Sequence, residues 1–377
     1  MEPWFWLSLL GAVYSYALYP VLVWAIVRGR STAEGETEPL RWPDLTVIIT
    51  ARNEAGRIGA KIRDVLSQDY PGSLEVLVIS DASEDETDAT VSSFDDARVR
   101  LVRQEERLGK EAGQARGVSE AAGEILVFTD VSTRIHPGSL QVIAARLADP
   151  EVGAVSSEDR FESADGRMAG EGLYVRYEMW LRRLESRAAG LVGLSGSFFA
   201  VQKSICDEWR TDVPSDFTVA LTCARRGLKA VSDPGVLGIY PDLKEPADEY
   251  ARKRRTVLRG MAGLAAAREV LNPFKFGLFA FQAWSHKLMR WAVPWFLLLL
   301  FITSLALAGQ GGIYLWVLIA QLAGYGLALL GWVSRAAREN SFVRLAFYFC
   351  QVNLAMADAL LRFLKGERVI TWDPSRR

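Results

Sequence analysis

The sequence predicts an α/β domain that lies between two groups of membrane-spanning helices. Short apolar runs rich in β-branched residues alternate with helical patterns from residue 45 to about residue 270. This alternation is typical of strand–helix–strand units and of a doubly wound sheet. Stretches without any charged side chain stand on either side, over residues 4–27 and 291–333. Such stretches are long enough to cross a hydrocarbon core of about 30 Å.

The composition agrees with this arrangement and excludes several classes of protein. The hydrophobic content is 50% and 12 residues are tryptophan, while 44 Lys and Arg residues balance 45 Asp and Glu residues. This balance argues against a nucleic-acid-binding protein, which usually carries a basic excess. The three cysteines have no CxxC spacing, which argues against a zinc site and a disulfide framework.

Residues 1–30 are predicted to form an N-terminal transmembrane anchor. Only Glu2 precedes the apolar run, and Arg28 and Arg30 follow it, which differs from the pattern of a cleaved signal peptide. Because basic residues favour the cytoplasmic side, the C-terminal end of this helix is expected in the cytoplasm. Residues 31–44 are polar, are interrupted by Gly and Pro, and are predicted to be a linker.

The predicted α/β domain comprises residues 45–270. Its strands are expected at four apolar runs, which are residues 45–50, 75–80, 99–102 and 124–129. Ligands of open α/β sheets bind beyond the carboxyl ends of the strands. The polar residues that follow these runs are therefore the candidates for a functional site.

Residues 271–291 are predicted to form an amphipathic helix that lies in the membrane interface. Aromatic and leucine side chains recur every three or four residues, and the polar side chains lie elsewhere on the helix. An ordinary core helix is the alternative interpretation.

Residues 292–377 are predicted to form a C-terminal transmembrane region and a tail. Glycines near residue 310 divide the uncharged stretch into two spans, and the arginines that follow indicate a return to the cytoplasm. Residues 345–363 could form a third span or another interfacial helix, which leaves the side of the C-terminus open.

Several residues after the predicted strands have side chains suited to a nucleotide. The segment from Thr50 to Glu54 follows the first strand and could hold a nucleobase and ribose, although Asn53 could simply cap a helix. Asp81 follows the second strand and could accept hydrogen bonds from a base edge, or cap a helix. Lys110 could contact a diphosphate, or be a solvated surface lysine.

Two further aspartates have positions that suit catalysis. Asp130 follows the fourth strand, where a carboxylate can hold Mg²⁺ or Mn²⁺ together with substrate phosphates, or cap a turn. Asp216 stands at the start of a predicted helix, where it could act as a general base or cap the helix.

Taken in order, five segments resemble the family-2 glycosyltransferases with a GT-A (Rossmann-like) fold. They are TARNE, DASEDET, GKEAGQARGVSEAAGEILVFTDVS, GLSGSFFAV and SDFTVALTCARRGLKAVSDP. The resemblance covers about residues 45–260. It implies inverting transfer of a sugar from a nucleotide donor, usually a UDP-sugar, to a glycan or lipid-linked acceptor, in exopolysaccharide or cell-envelope glycan synthesis.

The resemblance also implies roles for individual residues. Asp216 would be the catalytic base and Asp81 would contact the nucleobase, while Asp130 would begin a motif for Mg²⁺ or Mn²⁺ with Ser132 at its second position. The other nucleotide-binding residues would be Thr50, Ala51, Arg52, Glu54, Lys110 and Arg255. The acceptor-binding residues would be Ser195, Gly196, Ser197 and Phe198. With its membrane segments, the protein is expected in the inner or plasma membrane as a multi-pass protein with a cytosolic catalytic domain.

The sequence departs from the family pattern at three places. Ser132 replaces the second acid of the metal motif, and Ser215 precedes Asp216 where the family has an acidic pair. Arg255 is retained in the segment that corresponds to the QxxRW signature of polymer synthases, but the Gln and the Trp are missing. Whether transfer is processive is therefore open. An alternative is a non-catalytic, nucleotide-binding membrane scaffold of a glycan-synthesis complex.

Overall fold

A computed structural model describes residues 1–29, 41–162, 173–241 and 246–369. Residues 31–40 of the predicted linker and residues 370–377 of the predicted tail lie outside the described part. The chain divides into two compact units. The described residues within Val23–Leu243 and Gly263–Gln282 are called the sheet unit, and those within Met1–Leu22, Lys244–Ala262 and Ala283–Val369 are called the helical unit.

The sheet unit contains one eight-stranded mixed sheet. Its strands are β1 (Leu45–Ala51), β2 (Leu74–Asp81), β3 (Val99–Gln104), β4 (Ile125–Thr129), β5 (Arg134–Ile135), β6 (Val152–Glu162), β7 (Phe198–Gln202) and β8 (Lys229–Pro241). Their spatial order is β3-β2-β1-β4-β7-β6-β8-β5. The pairs among β1 to β4 are parallel, whereas β7 runs antiparallel to both β4 and β6.

The predicted α/β class is confirmed, and each of the four predicted runs forms a strand. The parallel, doubly wound arrangement ends at β4, because β7 returns in the opposite direction along it. Along β1, Val47 and Ile49 belong to one core cluster and Ile48 belongs to another. Side chains alternate between the two faces of a strand, so both faces of β1 are covered, which explains its continuous apolar run.

Thirteen α-helices are found in the described residues. They are α1 (Glu2–Val13), α2 (Tyr19–Val27), α3 (Ala55–Leu66), α4 (Thr87–Ser92), α5 (Lys110–Glu120), α6 (Ser139–Leu147), α7 (Leu173–Ala188), α8 (Ser215–Arg225), α9 (Pro246–Ala266), α10 (Pro273–Gln282), α11 (Met289–Leu307), α12 (Gly312–Val333) and α13 (Ser341–Leu364). A π-helical segment, Tyr14–Leu18, joins α1 to α2, and another, Ala283–Leu288, joins α10 to α11.

Helix α5 packs unusually close to β1, which positions its N-terminus near the ends of the parallel strands. A Cβ atom added at Gly113 would lie 2.5 Å from Cγ2 of Thr50, and one added at Gly117 would lie 2.6 Å from Cγ2 of Ile48. Larger residues at these two positions would push the helix outward. The glycines therefore determine how near Lys110, the first residue of α5, lies to the carboxyl edge of the sheet.

Three helical segments in the described part of the chain are long and apolar enough to cross a membrane. They are Glu2–Val27, Pro273–Gln310 and Gly312–Val333. The last two are separated at the predicted glycines, because Gly311 has a positive φ of 68° that ends the helix. Helix α13 contains the third predicted span but does not meet the same criteria of length and composition.

The helical segment that begins at Pro273 continues past Trp291, through π-helical turns into α11. It bends near its start, where Gly277 has non-helical dihedral angles. Phe274 on the predicted aromatic face is exposed and Gln282 is buried. The position of this helix in the membrane interface stays a prediction.

Candidate active site

The carboxylate of Asp81 lies at the end of β2 and is already engaged by the backbone. It is buried and accepts hydrogen bonds from the N–H groups of Leu108 (2.8 Å) and Gly109 (3.0 Å), just before α5. Asp81 therefore does not cap the helix that follows it. It connects β2 to the loop that leads to Lys110.

The loops after β1 and β2 are tied to each other. Arg52 donates from Nη1 to the carbonyl oxygens of Asp81 (3.1 Å) and Ala82 (2.9 Å). Asn53 accepts a hydrogen bond at Oδ1 from the N–H of Glu84 (2.8 Å). Asn53 and Ala82 both have positive φ angles, 53° and 50°, which non-glycine residues rarely adopt. The structure thus uses Asn53 to join the two loops and not to cap α3.

The other residues predicted at this edge are Thr50, Ala51 and Glu54, which lie at the end of β1 and at the start of α3. Ala51 is buried at the end of β1, and the hydroxyl of Thr50 is buried without a hydrogen-bond partner. Glu54 lies at the start of α3, 2.7 Å from Nη2 of Arg57. Burial raises the pKa of Glu54, Arg57 lowers it, and the negative charge of Asp130 raises it further.

Lys110 joins the predicted metal ligand to the predicted acceptor segment. Its Nζ lies 2.5 Å from Oδ1 of Asp130 and 2.7 Å from the carbonyl oxygen of Gly196. The N–H of Asp130 in turn donates to the carbonyl oxygen of Ser197 (2.9 Å). Lys110 is therefore not a solvated surface lysine, and its ammonium group neutralises Asp130.

Gly196 also contacts the predicted catalytic base. A Cβ atom added at Gly196 would lie 2.9 Å from Oδ2 of Asp216 and 3.3 Å from its Cγ. The N–H of Leu194 donates to the carbonyl oxygen of Asp216 (3.1 Å). The segment around Gly196 therefore lies between Asp130 on one side and Asp216 on the other. Asp216 lies in the first turn of α8, whose N-cap residue is Pro214.

Two of the four predicted acceptor residues do not present their side chains. Phe198 is fully buried in the core cluster of the sheet, because it is the first residue of β7. Ser195 is buried and donates its hydroxyl to Asp159 (2.7 Å). Gly196 and Ser197 are partly exposed, and acceptor contacts by all four residues stay predictions.

Asp130 is placed where it could share a divalent cation with a bound nucleotide. The described residues contain no group of three or more His, Cys, Asp or Glu side chains that could hold a metal ion. Ser132 lies partly exposed in the turn after β4. Mg²⁺ is often bound by one or two carboxylates together with substrate phosphates and water. A single carboxylate at this position fits that mode of binding.

Arg255 lies on α9 in the helical unit. Its side chain is partly buried, and burial together with the nearby Arg259 and Arg252 lowers its pKa. A cluster of mutually repelling guanidinium groups favours a bound anion. Contact between Arg255 and a nucleotide stays a prediction.

Lys61 is a buried cation beside the Asp130 turn that the sequence did not indicate. Its side chain is 1% exposed and lies 3.1 Å from Oδ2 of Asp64. Its Nζ donates to the carbonyl oxygen of Thr133 (2.5 Å), three residues after Asp130, and the N–H of Ile135 donates to Asp64 (3.0 Å). Helix α3 therefore fixes the turn that carries Asp130.

Replacing Lys61 by methionine is expected to change how stability depends on pH. Burial lowers the pKa of Lys61 to about 8, although Asp64 and Asp130 favour the charged form. The unfolded chain, with a lysine pKa of about 10.4, binds more protons between these two values, so wild-type stability rises with pH there. We expect the unfolding free energy of the wild type, relative to Lys61→Met, to rise by about 3 kcal/mol from about pH 7 to about pH 11.

Thermal unfolding of the full chain in detergent across this pH range would measure the difference. Lys203→Met is a matched control, because Nζ of Lys203 also donates to a backbone carbonyl, that of Ala121 (2.6 Å), just before β4. A constant difference between the wild type and Lys61→Met at every pH would contradict the prediction.

Comparisons with known proteins find similarity to glycosyltransferases. The model of the family described as "Glycosyl transferase family 2" matches residues 46–210. An N-acetylglucosaminyltransferase from Rhizobium meliloti (strain 1021) is 27% identical over 305 residues, which cover 70% of this chain and 70% of that protein. The succinoglycan biosynthesis protein ExoO from the same organism is 32% identical over 127 residues, which cover 33% of this chain and 36% of that protein.

A solved structure shares the fold over almost the whole chain. It is the mannosyltransferase PcManGT from Pyrobaculum calidifontis, in complex with GDP-Man and Mn²⁺. The TM-score is 0.76 with 23% sequence identity, and the match covers 97% of this chain and 99% of the other. The structural similarity extends to the segments before and after the sheet unit, and it shows a shared fold.

Proposed function

From the premise that this chain is a glycosyltransferase whose residues 46–210 form a family 2 domain, we propose that it transfers a sugar from a nucleotide donor to a glycan or lipid-linked acceptor. The observation that supports this most strongly is the position of Gly196. Its carbonyl oxygen accepts from Lys110, which pairs with Asp130, and its α-carbon lies against Asp216. Donor-side and acceptor-side groups therefore contact the same residue.

The donor occupies the edge formed by the loops after β1 and β2. Asp81 contacts the nucleobase, Arg52 holds the backbone around it, and Lys110 moves from Asp130 to the diphosphate. A divalent cation shared with Asp130 would neutralise charge on the departing diphosphate. We favour UDP-sugars because the resemblance implies uracil and a relative is named an N-acetylglucosaminyltransferase. The GDP-Man complex of the structural neighbour makes guanine the main competitor.

Asp216 provides the chemistry on the acceptor side. Its carboxylate accepts the proton of an acceptor hydroxyl as that oxygen attacks the anomeric carbon from the face opposite the leaving diphosphate. One displacement of this kind inverts the configuration. Lys110 stabilises the negative charge that develops on the diphosphate. The absence of the Gln and the Trp beside Arg255 favours a single transfer over processive synthesis.

The protein is proposed to lie in the inner or plasma membrane with its sheet unit in the cytosol. Three candidate spans support this placement, and arginines follow the first and the last of them. A cytosolic site has direct access to nucleotide sugars. A membrane location suits an acceptor that is lipid-linked or part of a growing exopolysaccharide or cell-envelope glycan.

Purified full-length chain with Mn²⁺ is expected to release nucleotide from a UDP-sugar faster than from GDP-mannose. A panel of UDP-N-acetylglucosamine, UDP-glucose, UDP-galactose and GDP-mannose would be tested with Mg²⁺ and with Mn²⁺. Removal of the metal by EDTA is expected to lower turnover by at least about tenfold, because the diphosphate charge is then poorly neutralised.

Two outcomes of this panel would contradict parts of the proposal. Faster release from GDP-mannose would overturn the preference for uracil. Nucleotide binding by calorimetry without turnover on any donor would instead favour the non-catalytic scaffold, which Ser132 and the degenerate segment around Arg255 motivate.

A further inference from the structure

Buried hydroxyl groups converge on one carboxylate near the candidate active site. Asp159, in β6, accepts hydrogen bonds at Oδ1 from the hydroxyls of Ser195 (2.7 Å), Ser157 (3.2 Å) and Tyr240. The three donors are buried, whereas Asp159 is partly exposed. One carboxylate oxygen of this partly exposed residue is therefore fixed by donors from inside the protein.

The strongest of these donors keeps its proton over the physiological range. Burial and the neighbouring Asp159 raise the pKa of Tyr240 well above its usual value. The phenol therefore stays neutral and continues to donate. The hydroxyls of Tyr240 and Ser195 also lie 3.4 Å apart, so the donors support one another. A side chain fixed in this way loses little conformational entropy when it binds a ligand.

The hydroxyl cluster lies next to the turn that carries Asp130. A Cβ atom added at Gly238 in β8 would lie 2.9 Å from the hydroxyl oxygen of Tyr240 and 3.3 Å from Cγ2 of Thr133. The N–H of Thr133 donates to the carbonyl oxygen of Asp130 (3.1 Å). Only a residue without a side chain at position 238 lets the two come this close.

The cluster also adjoins the acceptor segment. Ser195, which donates to Asp159, precedes Gly196, and Gly196 lies against the carboxylate of Asp216. Asp159 and Asp216 are thus connected through two consecutive residues.

We infer that Asp159 binds the acceptor sugar, with its Oδ2 accepting hydrogen bonds from hydroxyl groups that do not react. This inference rests on the proposed function and adds a specificity-determining residue to it. A carboxylate oxygen is a strong acceptor for hydroxyl groups. Asp159 holds the ring while Asp216 takes the proton of the reacting hydroxyl, so the two carboxylates divide orientation and proton transfer between them.

Steady-state kinetics of Asp159→Asn in the full chain would test this role. The assay would use UDP-N-acetylglucosamine and Mn²⁺, with an N-acetylglucosamine disaccharide as acceptor. We expect the KM for the acceptor to rise by about 10- to 100-fold, as for the loss of a hydrogen bond to a charged group. The slow hydrolysis of the donor without acceptor is expected to stay within about twofold, since water needs no orientation by Asp159. Tyr240→Phe is expected to raise the acceptor KM by a smaller factor.

Glu158→Gln is the matched control on the same strand. Glu158 is buried and binds Arg183 through both oxygens (2.6 and 2.7 Å), outside the hydroxyl cluster. An equal rise in acceptor KM in Glu158→Gln and Asp159→Asn would overturn the inference, because it would indicate general damage to β6. An unchanged acceptor KM in Asp159→Asn would also overturn it.

A binding measurement separates this inference from the proposed function. Saturation-transfer NMR would detect contact between the wild-type chain and N-acetylglucosamine, glucose or mannose disaccharides without any turnover. Contact that is lost in Asp159→Asn and kept in Glu158→Gln would support the inference even if no donor reacted, in which case only the proposed transfer would fail. No contact of the wild type with any of the three disaccharides would overturn the inference.

Discussion

Replacing Asp216 by asparagine is expected to lower the rate of sugar transfer by about 10³-fold, the usual contribution of a general base. Asparagine has nearly the same shape, and the N-cap residue of α8 is Pro214 and not Asp216. The KM for the donor is expected to change little, because the proton transfer concerns the acceptor. Turnover with saturating donor, together with the melting temperature, measures the effect.

Asp212→Asn is the control for this change. Asp212 precedes α8 and lies on the surface, where it pairs with Arg210 at 2.5 Å. We expect its removal to leave transfer within about twofold, as for most surface substitutions. Turnover of Asp216→Asn above about one tenth of the wild-type rate would contradict the assigned base, since a general base contributes at least about 10²-fold.

Replacing Gly196 by alanine is expected to lower turnover by about 10²-fold, which is typical when a catalytic group is displaced by about 1 Å. The new methyl carbon would lie 2.9 Å from Oδ2 of Asp216, well inside the normal contact distance. Either the Asp216 carboxylate must move, or the segment around Gly196 must move, whose carbonyl oxygen accepts a hydrogen bond from Lys110. Gly196 does not have a left-handed φ, so the effect is steric.

Gly56→Ala provides a glycine control with the opposite expectation. Gly56 lies in the first turn of α3, and an added Cβ atom there would meet nothing within 4 Å. Alanine favours a helix over glycine by up to about 1 kcal/mol, so this variant is expected to be active and at least as stable. Full activity of Gly196→Ala, measured beside it, would show that Asp216 tolerates the displacement and would contradict the prediction.

The parallel strands β1 to β4 could be predicted from the sequence, whereas the rest of the sheet could not. There β7 runs antiparallel to β4 and β6, while β6 runs parallel to β8. The runs at β1 and β2 are buried on both faces and rich in β-branched residues, which gives a clear pattern. The direction of β7 depends on its pairing with β4 and β6, and hydrophobic periodicity carries no information on direction. The serines and acids in the middle of β6, from Ser156 to Asp159, obscured that strand.

The three aspartates of the candidate site were found because each follows a strand or begins a helix. Their connections depend on tertiary contacts, such as the pairing of Lys110 with Asp130. The sequence pattern also contains an indication that Lys61 is buried. It occupies the same helical face as Ile58, Ile62 and Val65, all of which are buried. A lysine on an apolar face can indicate a buried charge. Here the carbonyl oxygen that accepts its hydrogen bond belongs to Thr133, which lies far away in the sequence.

The two backbone amides that hold Asp81 have a consequence for the end of each catalytic cycle. The N–H groups of Leu108 and Gly109 occupy one acceptor site on each oxygen of Asp81 and leave the remaining sites for a nucleobase. The spent nucleoside diphosphate carries the same nucleobase as the donor, so it would keep this contact after the sugar has left. We therefore expect inhibition by the nucleoside diphosphate, which would slow the protein as this product accumulates around it.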